Sequence, residues 1–126
     1  MKKILVVEDD AVSARMLRDY LDAHGYRTTV ATTGPEGWNR FEETHPDLMV
    51  VDVALPMKNG FELCFDVKRT EHGRAMPLVL MSAVYRDDHA DKYAREDLHA
   101  QAWLSKPFEL RALLEEVERL IGAGEA

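Results

Sequence analysis

The chain has 126 residues, 46% of them hydrophobic and 31% charged, with a formal net charge of -7. That length and composition suit one ordinary globular domain with one sizeable core. The acidic balance argues against a nucleic-acid-binding surface, which needs clustered Lys and Arg, and would draw a divalent cation or a basic partner instead.

The lone Cys64 excludes an intramolecular disulfide and offers no zinc-type cluster, which points to a reducing cytoplasm. "MKKILVVEDD" opens like a leader, but its apolar run stops after four residues before three acids, and no segment approaches membrane-spanning length. "KKILVV" (2–7) then reads as a β-rich run. "AVSARMLRDYLDAHG" (11–25) carries Val12, Met16, Leu17, Tyr20 and Leu21 at helical spacings, with Gly25 as its C-terminal stop. "YRTTVAT" (26–32) alternates like a strand, and "GPEGWNRFEETH" (34–45) is a helix with Pro35 near its start and Trp38 and Phe41 on one face.

"DLMVVDV" (47–53) is a second strongly apolar strand. "GFELCFDVKRTE" (60–71) sets Phe61, Cys64, Phe65 and Lys68 at helix spacing, and "MPLVLMSA" (76–83) is another buried strand. "RDDHADKYARED" (86–97) is a polar helix with little to bury, and "AQAWLS" (100–105) a fifth, weaker strand. "KPFELRALLEEVERLIG" (106–122) closes with a clear amphipathic pattern through Phe108, Leu110, Leu113, Leu114, Val117, Leu120 and Ile121. "GAGEA" (122–126) reads as a frayed end or the start of a linker, leaving one domain over 1–121. Five βα units in a row argue for a parallel sheet with helices on both faces. Alternation alone does not set the strand order.

In such a sheet every strand C-terminus lies along one edge, where open α/β sheets bind ligands. "ILVV" ends in Glu8, Asp9 and Asp10, "LMVV" ends in Asp52, the fourth strand delivers Ser82 and the fifth Lys106. If the first and third strands are neighbours, three or four carboxylates converge, and a divalent cation with oxygen preferences offsets their repulsion. Lys106 is a point charge able to hold a phosphoryl oxygen and Ser82 a donor to another, so the set suggests phosphoryl transfer onto a carboxylate. Singly, each residue has a plainer reading. Asp10 is a natural N-cap for the helix near Val12, Glu8 and Asp9 are loop charges, Asp52 a turn residue, Ser82 a strand-end hydroxyl and Lys106 a surface charge. The weight lies in their placement together.

"ILVVEDD", "DLMVVDVALPMKNG", "VLMSA" and "LSKPF" together resemble the signature blocks of response-regulator receiver domains, in that family's order and spacing, from about Lys2 to Ile121. The resemblance implies a flavodoxin-like, doubly wound (βα)5 sheet of order 2-1-3-4-5. It implies Asp52 as phosphoacceptor, Asp9 as direct Mg²⁺ ligand with Asp52 and the backbone carbonyl of Ala54, and Glu8 acting on the metal mainly through water. Lys106 would contact the phosphoryl group, and its bond to Pro107 would be cis. Ser82 and Trp103 would form the switching pair, biased by local charge. Partners implied are a sensor histidine kinase or phosphotransfer protein, a downstream protein or output domain, and a second copy of the chain. They would meet the face made by the polar helix, the fifth strand and the last helix. No direct nucleic-acid or membrane binding is implied, and no enzyme activity beyond the domain's own phosphorylation and dephosphorylation.

This chain departs from the commonest pattern in places. Trp103 stands where Tyr or Phe is usual, and Glu8 replaces the commoner Asp, a longer arm that tunes metal affinity. Ala54 and Val84 flank the hydrolytic water's path in the family. Both are apolar and neither can orient that water, which predicts slow autodephosphorylation. Pro56 and Gly60 shape the loop beside the acceptor, Gly60 through positive φ or close approach. The five histidines, His24, His45, His72, His89 and His99, show no metal-ligand spacing and are expected on the surface. Two other function classes compete: a degenerate receiver acting by protein contact without phosphate, and an enzyme of similar architecture. The intact Asp9, Asp52, Ser82 and Lys106 disfavour the first. Among enzymes, an aspartyl-nucleophile phosphatase would want an acid where Ala54 stands, and a flavin protein would want a hydroxyl-rich loop where "EDDAVSAR" is acidic.

Overall fold

The three most apolar runs become the centre of the sheet. In the computed structural model, which describes residues 1–83 and 92–125, the strands are β1 (Lys3–Val7), β2 (Arg27–Ala31), β3 (Leu48–Asp52), β4 (Leu78–Ser82) and β5 (Ala102–Ser105). They pair in parallel in the order β2-β1-β3-β4-β5, so β1, β3 and β4 each have two neighbours. This is why those runs are apolar on both sides: both faces of a covered parallel sheet are buried. Alternate residues feed two cores. Leu5, Val7, Met49, Val51, Leu78 and Leu80 meet Phe41, Leu63, Cys64 and Val67 on one face, while Ile4, Val6, Leu48, Val50, Val79 and Met81 meet Leu17, Leu21, Leu113 and Val117 on the other.

The helices are α1 (Ala11–Ala23), α2 (Gly34–Thr44), α3 (Gly60–Lys68), α4 (Glu71–Ala75) and α5 (Leu110–Ile121), with a π-helical turn at Tyr93–Asp97. Short polar side chains start four of them. Asp10, Thr33, Asn59 and Thr70 accept from the backbone N–H of Val12, Glu36, Glu62 and Gly73 respectively. Thr70 also explains why α3 stops at Lys68 rather than running to Glu71, and why a short α4 follows that sequence periodicity does not reveal. Of the polar helix expected over 86–97, residues 86–91 lie outside the described residues, as do Val84 and His89.

The inward face of α1 is narrower than the apolar spacing suggests. Ala14, Leu17 and Leu21 are buried, whereas Val12 is 67% and Met16 54% exposed. The Asp10 cap sets the helix phase, and the Ala14–Leu17–Leu21 row already fills the sheet-facing stripe. Likewise Cys64 is buried while Phe65 points outward under the Arg69 guanidinium. His24, His45 and His99 are exposed, but His72 is half-buried, its Nε2 2.6 Å from the Pro46 carbonyl oxygen. At the far end of the chain Tyr26 Oη donates to Gly122 O (2.6 Å), the Glu125 N–H donates to Gly25 O (3.0 Å), and the Met1 ammonium lies 3.3 Å from Glu125 Oε1. Gly25, at φ +90, has Glu125 so close that a Cβ would fall 1.8 Å from its carbonyl oxygen.

Candidate functional site

Register brings the acids together. Val7 of β1 is level with Val51 of β3, so the next residues, Glu8 and Asp52, leave the sheet side by side on the same face. Both are buried, Glu8 at 0% and Asp52 at 5% exposure, while Asp9 is exposed. Carboxylate oxygens of Glu8, Asp9 and Asp52 lie within 4.8 Å of one another. Lys106, just beyond β5, reaches over them: its Nζ is 2.7 Å from Asp52 Oδ2 and also pairs with Glu8 Oε1. Asp52 Oδ1 accepts the Ala54 N–H at 2.8 Å, and Glu8 Oε2 faces the Asp10 N–H at 3.4 Å. Asp10 itself caps α1 and takes the Ser13 hydroxyl at 2.8 Å, which with the Val12 N–H holds its carboxyl below the usual range.

Burial pushes the Glu8 carboxyl up to about 7, reinforced by Asp52 and opposed by Lys106. Burial alone would lower the Lys106 ammonium, but its hydrogen bonds to Asp52 and Glu8 prevail and raise it. The two directions agree physically: the lysine sits between two acids and keeps its proton, while the glutamate has no solvent to support its charge.

The loop after β3 is tight. A Cβ on Gly60 would fall 2.3 Å from the Asp52 carbonyl oxygen, so close approach, without a positive φ, is what requires glycine there. Met57 carries the strain instead, with φ +70 and 84% exposure. Ser82 ends β4, fully buried, and its carbonyl accepts the Lys106 N–H at 2.8 Å; the Lys106–Pro107 bond is cis. Trp103 lies within β5, level with Leu80, and packs at 5.9 Å between ring centroids against Phe61 at the start of α3, which also meets Tyr93 edge-on at 5.5 Å. The structure thus gathers Glu8, Asp9, Asp52 and Lys106 into one group. Phe61 as the aromatic partner, and the Glu8–Lys106 pair, are not apparent in the sequence. Cys64 is fully buried, and burial pushes its thiol up to about 12, the setting of a core residue rather than of a reactive thiolate.

A mostly apolar groove of about 650 Å³ opens beside the acids, lined by Met16, Leu17, Pro107, Phe108 and Leu110 together with Glu8 and Lys106. The donor set of carboxylate oxygens, one of its three residues at the surface, suits a hard, oxygen-preferring divalent cation. One basic side chain beside that set suits an oxyanion that the cation and the lysine hold together.

The family model described as response regulator receiver domain matches residues 4–118. Response regulator MprA of Mycolicibacterium vanbaalenii is 34% identical over 98% of this chain and 55% of its own length; the transcriptional regulatory protein AfsQ1 of Streptomyces coelicolor is 32% identical over 99% and 53%. The chain therefore spans about half the length of these curated relatives. Among solved structures, a CheY-like response regulator receiver domain protein from Methanospirillum hungatei superposes with a TM-score of 0.87 at 26% identity, covering 94% of this chain and 92% of that one. The receiver domain of a sensor histidine kinase from Pseudomonas aeruginosa, with a magnesium ion coordinated in its active-site cleft, gives 0.83 at 26% identity over 96% and 98%.

Proposed function

The chain belongs to the response regulator receiver domain family, and we propose that it accepts a phosphoryl group on Asp52 from a sensor histidine kinase or phosphotransfer protein. The observation that carries this reading is the Lys106 ammonium 2.7 Å from Asp52 Oδ2 beside the converging oxygens of Glu8, Asp9 and Asp52. An Asp52 oxygen attacks phosphorus, the P–N bond to the donor imidazole breaks, and its electron pair stays on that nitrogen, which takes up a proton. Lys106 then holds a phosphoryl oxygen. Asp9, Asp52 and the Ala54 carbonyl would hold Mg²⁺, which when bound neutralises charge on the transferring group. Ser82, at the end of β4, is the hydroxyl that turns toward the phosphoryl oxygen, and Trp103 follows it.

A receiver domain is not a conventional enzyme. The reactions proposed here are the chain's own phosphorylation and a dephosphorylation slowed by apolar Ala54, with Val84 assigned the same part from its sequence position. The apolar groove lined by Met16, Phe108 and Leu110 offers a protein phosphodonor an apolar surface beside Glu8 and Lys106. The readout goes to a downstream protein or output domain, or to a second copy, through the face that includes β5 and α5. We assign 1–121 to the receiver unit and 122–126 to a tail or linker, in a cytoplasmic setting; no helix among the described residues is long and apolar enough to cross a membrane. The test is intact mass after incubation with a small-molecule phosphodonor. A Mg²⁺-dependent gain of one phosphoryl group, absent in Asp52→Asn, is expected. No gain in a folded protein would replace this reading with that of a phosphorylation-independent interaction module.

A further inference from the structure

A second pocket, of about 420 Å³, lies between α2 and α3 and shares no residue with the acidic group. Trp38, Lys58, Asp66, Arg69 and Thr70 line it. Lys58 comes from the loop after β3, seated so tightly on the start of α2 that a Cβ on Gly34 would fall 2.1 Å from its carbonyl oxygen. Its ammonium pairs with Asp66, and both side chains are half-buried. Trp38 is half-buried too, packed on Phe41 with ring centroids 5.7 Å apart, and its remaining surface lines the pocket. Arg69 closes α3 through its backbone. Its guanidinium lies 5.6 Å from the Phe65 ring centroid and has no hydrogen-bond or ion-pair partner among the described residues. Two cations against one carboxylate thus reverse the sign of charge locally, on a chain whose net charge is -7.

A guanidinium with uncommitted N–H groups takes two phosphate oxygens in a fork, and an ammonium beside it adds a point charge. A half-buried indole offers a stacking surface to a planar ring. An inorganic anion would use the cations alone, and an uncharged ring Trp38 alone. A ligand that joins both parts uses the whole pocket. We propose that the pocket binds a mononucleotide, with the phosphate between Lys58 and Arg69 and the base against Trp38. Asp66 holds the Lys58 ammonium in place for the phosphate, so little side-chain freedom is lost when the ligand enters. The volume lies within the roughly 300–1,000 Å³ of small-molecule sites. A nucleic-acid strand fits less well, because the acidic balance of the rest of the chain repels a run of phosphates. The inference goes beyond the phosphoacceptor reading and does not depend on it.

The experiment is calorimetric titration of the metal-free protein with adenosine and guanosine monophosphates, with the Trp38 indole N–H followed by proton–nitrogen NMR. Adenosine, guanosine and inorganic phosphate serve as part-ligands. At least one nucleotide should bind about tenfold more tightly than either of its parts, and should shift the Trp38 signal. Arg69→Gln, a change at an exposed side chain, should weaken it about tenfold, the scale of one lost charge-assisted contact. Trp38→Leu should weaken it by a similar factor through lost stacking. Trp38→Phe keeps a ring on Phe41 and should retain most of the affinity, which separates stacking from packing. Binding of neither nucleotide, equal affinity for nucleotide and inorganic phosphate, or an unmoved Trp38 signal would overturn the proposal. Full affinity in Arg69→Gln would also overturn it, and loss in Lys106→Gln would then place the nucleotide beside Asp52 instead. Phosphoryl uptake by Asp52, measured separately by mass, fails or succeeds independently of these readings.

Discussion

Lys106 Nζ stands 2.7 Å from Asp52 Oδ2, a contact between residues 54 positions apart that joins the loop after β5 to the end of β3. The same nitrogen reaches Glu8 at the end of β1, so one flexible side chain ties together three βα units. Its neutral replacement therefore tests structure as well as chemistry.

Lys106→Met should leave Glu8 buried without its counter-charge and cost about 3 kcal/mol near neutral pH, the scale for breaking one partner out of a buried pair. The cost should shrink in mild acid, where Glu8 can take up a proton. Urea denaturation of parent and variant at the two pH values measures both effects.

Glu8 gives the stability a pH slope of predictable sign. Its folded carboxyl lies near 7 against an ordinary value of 4.5, so the folded state binds this proton more tightly than the unfolded one. The resulting stabilisation is full below the ordinary value and is lost as pH rises through about 7. Relative to Glu8→Gln, the parent should lose thermal stability between about pH 5 and about pH 8 in the absence of metal. Parallel melting curves across that range would show that Glu8 does not titrate there.

Met57 holds a left-handed backbone at the tip of the loop beside the acceptor, with its side chain almost wholly in solvent. Met57→Gly removes the strain at the cost of a more flexible unfolded chain, and a net gain of up to about 1 kcal/mol is expected. Chemical denaturation gives the value. A loss would mean that the methionine side chain makes a contact its exposure conceals.

Phe61 packs on Trp103 at 5.9 Å. In a Trp38→Phe background, which leaves Trp103 as the single indole, Phe61→Ala should shift the emission to longer wavelength as the ring gains water. Phosphodonor with Mg²⁺ should change the emission of the Phe61-containing protein and leave that of Asp52→Asn unchanged. An identical response in both would detach Trp103 from the acceptor.

The strands were readable because burial on both faces demands runs such as "ILVV" and "LVLM", and the strand order followed from family resemblance rather than from alternation. Helix phase was less legible. Val12 and Met16 share helical spacing with Leu17 and Leu21, and only the Asp10 cap and the Ala14 row decide which stripe turns inward. Short α4 carries no periodic signal, because five residues are too few for one, although Thr70 marks its start. Acids and lysine could be placed at one edge of the sheet from the sequence. The Glu8–Lys106 pair could not, since side-chain reach from β1 to β5, past β3 and β4, leaves no trace in local spacing.

The backbone of Glu125 rests on Gly25, and its side chain meets the Met1 ammonium. Both ends of the described chain therefore share one pole, beneath the start of β1, while Asp52 sits at the other, about 16 Å away along a five-residue strand. A fluorophore or fused protein attached at either terminus begins from the same spot and stays clear of the acidic pocket. Closing the ring with a short polar bridge and cutting the chain at an exposed loop elsewhere should yield a permuted protein with the same sheet.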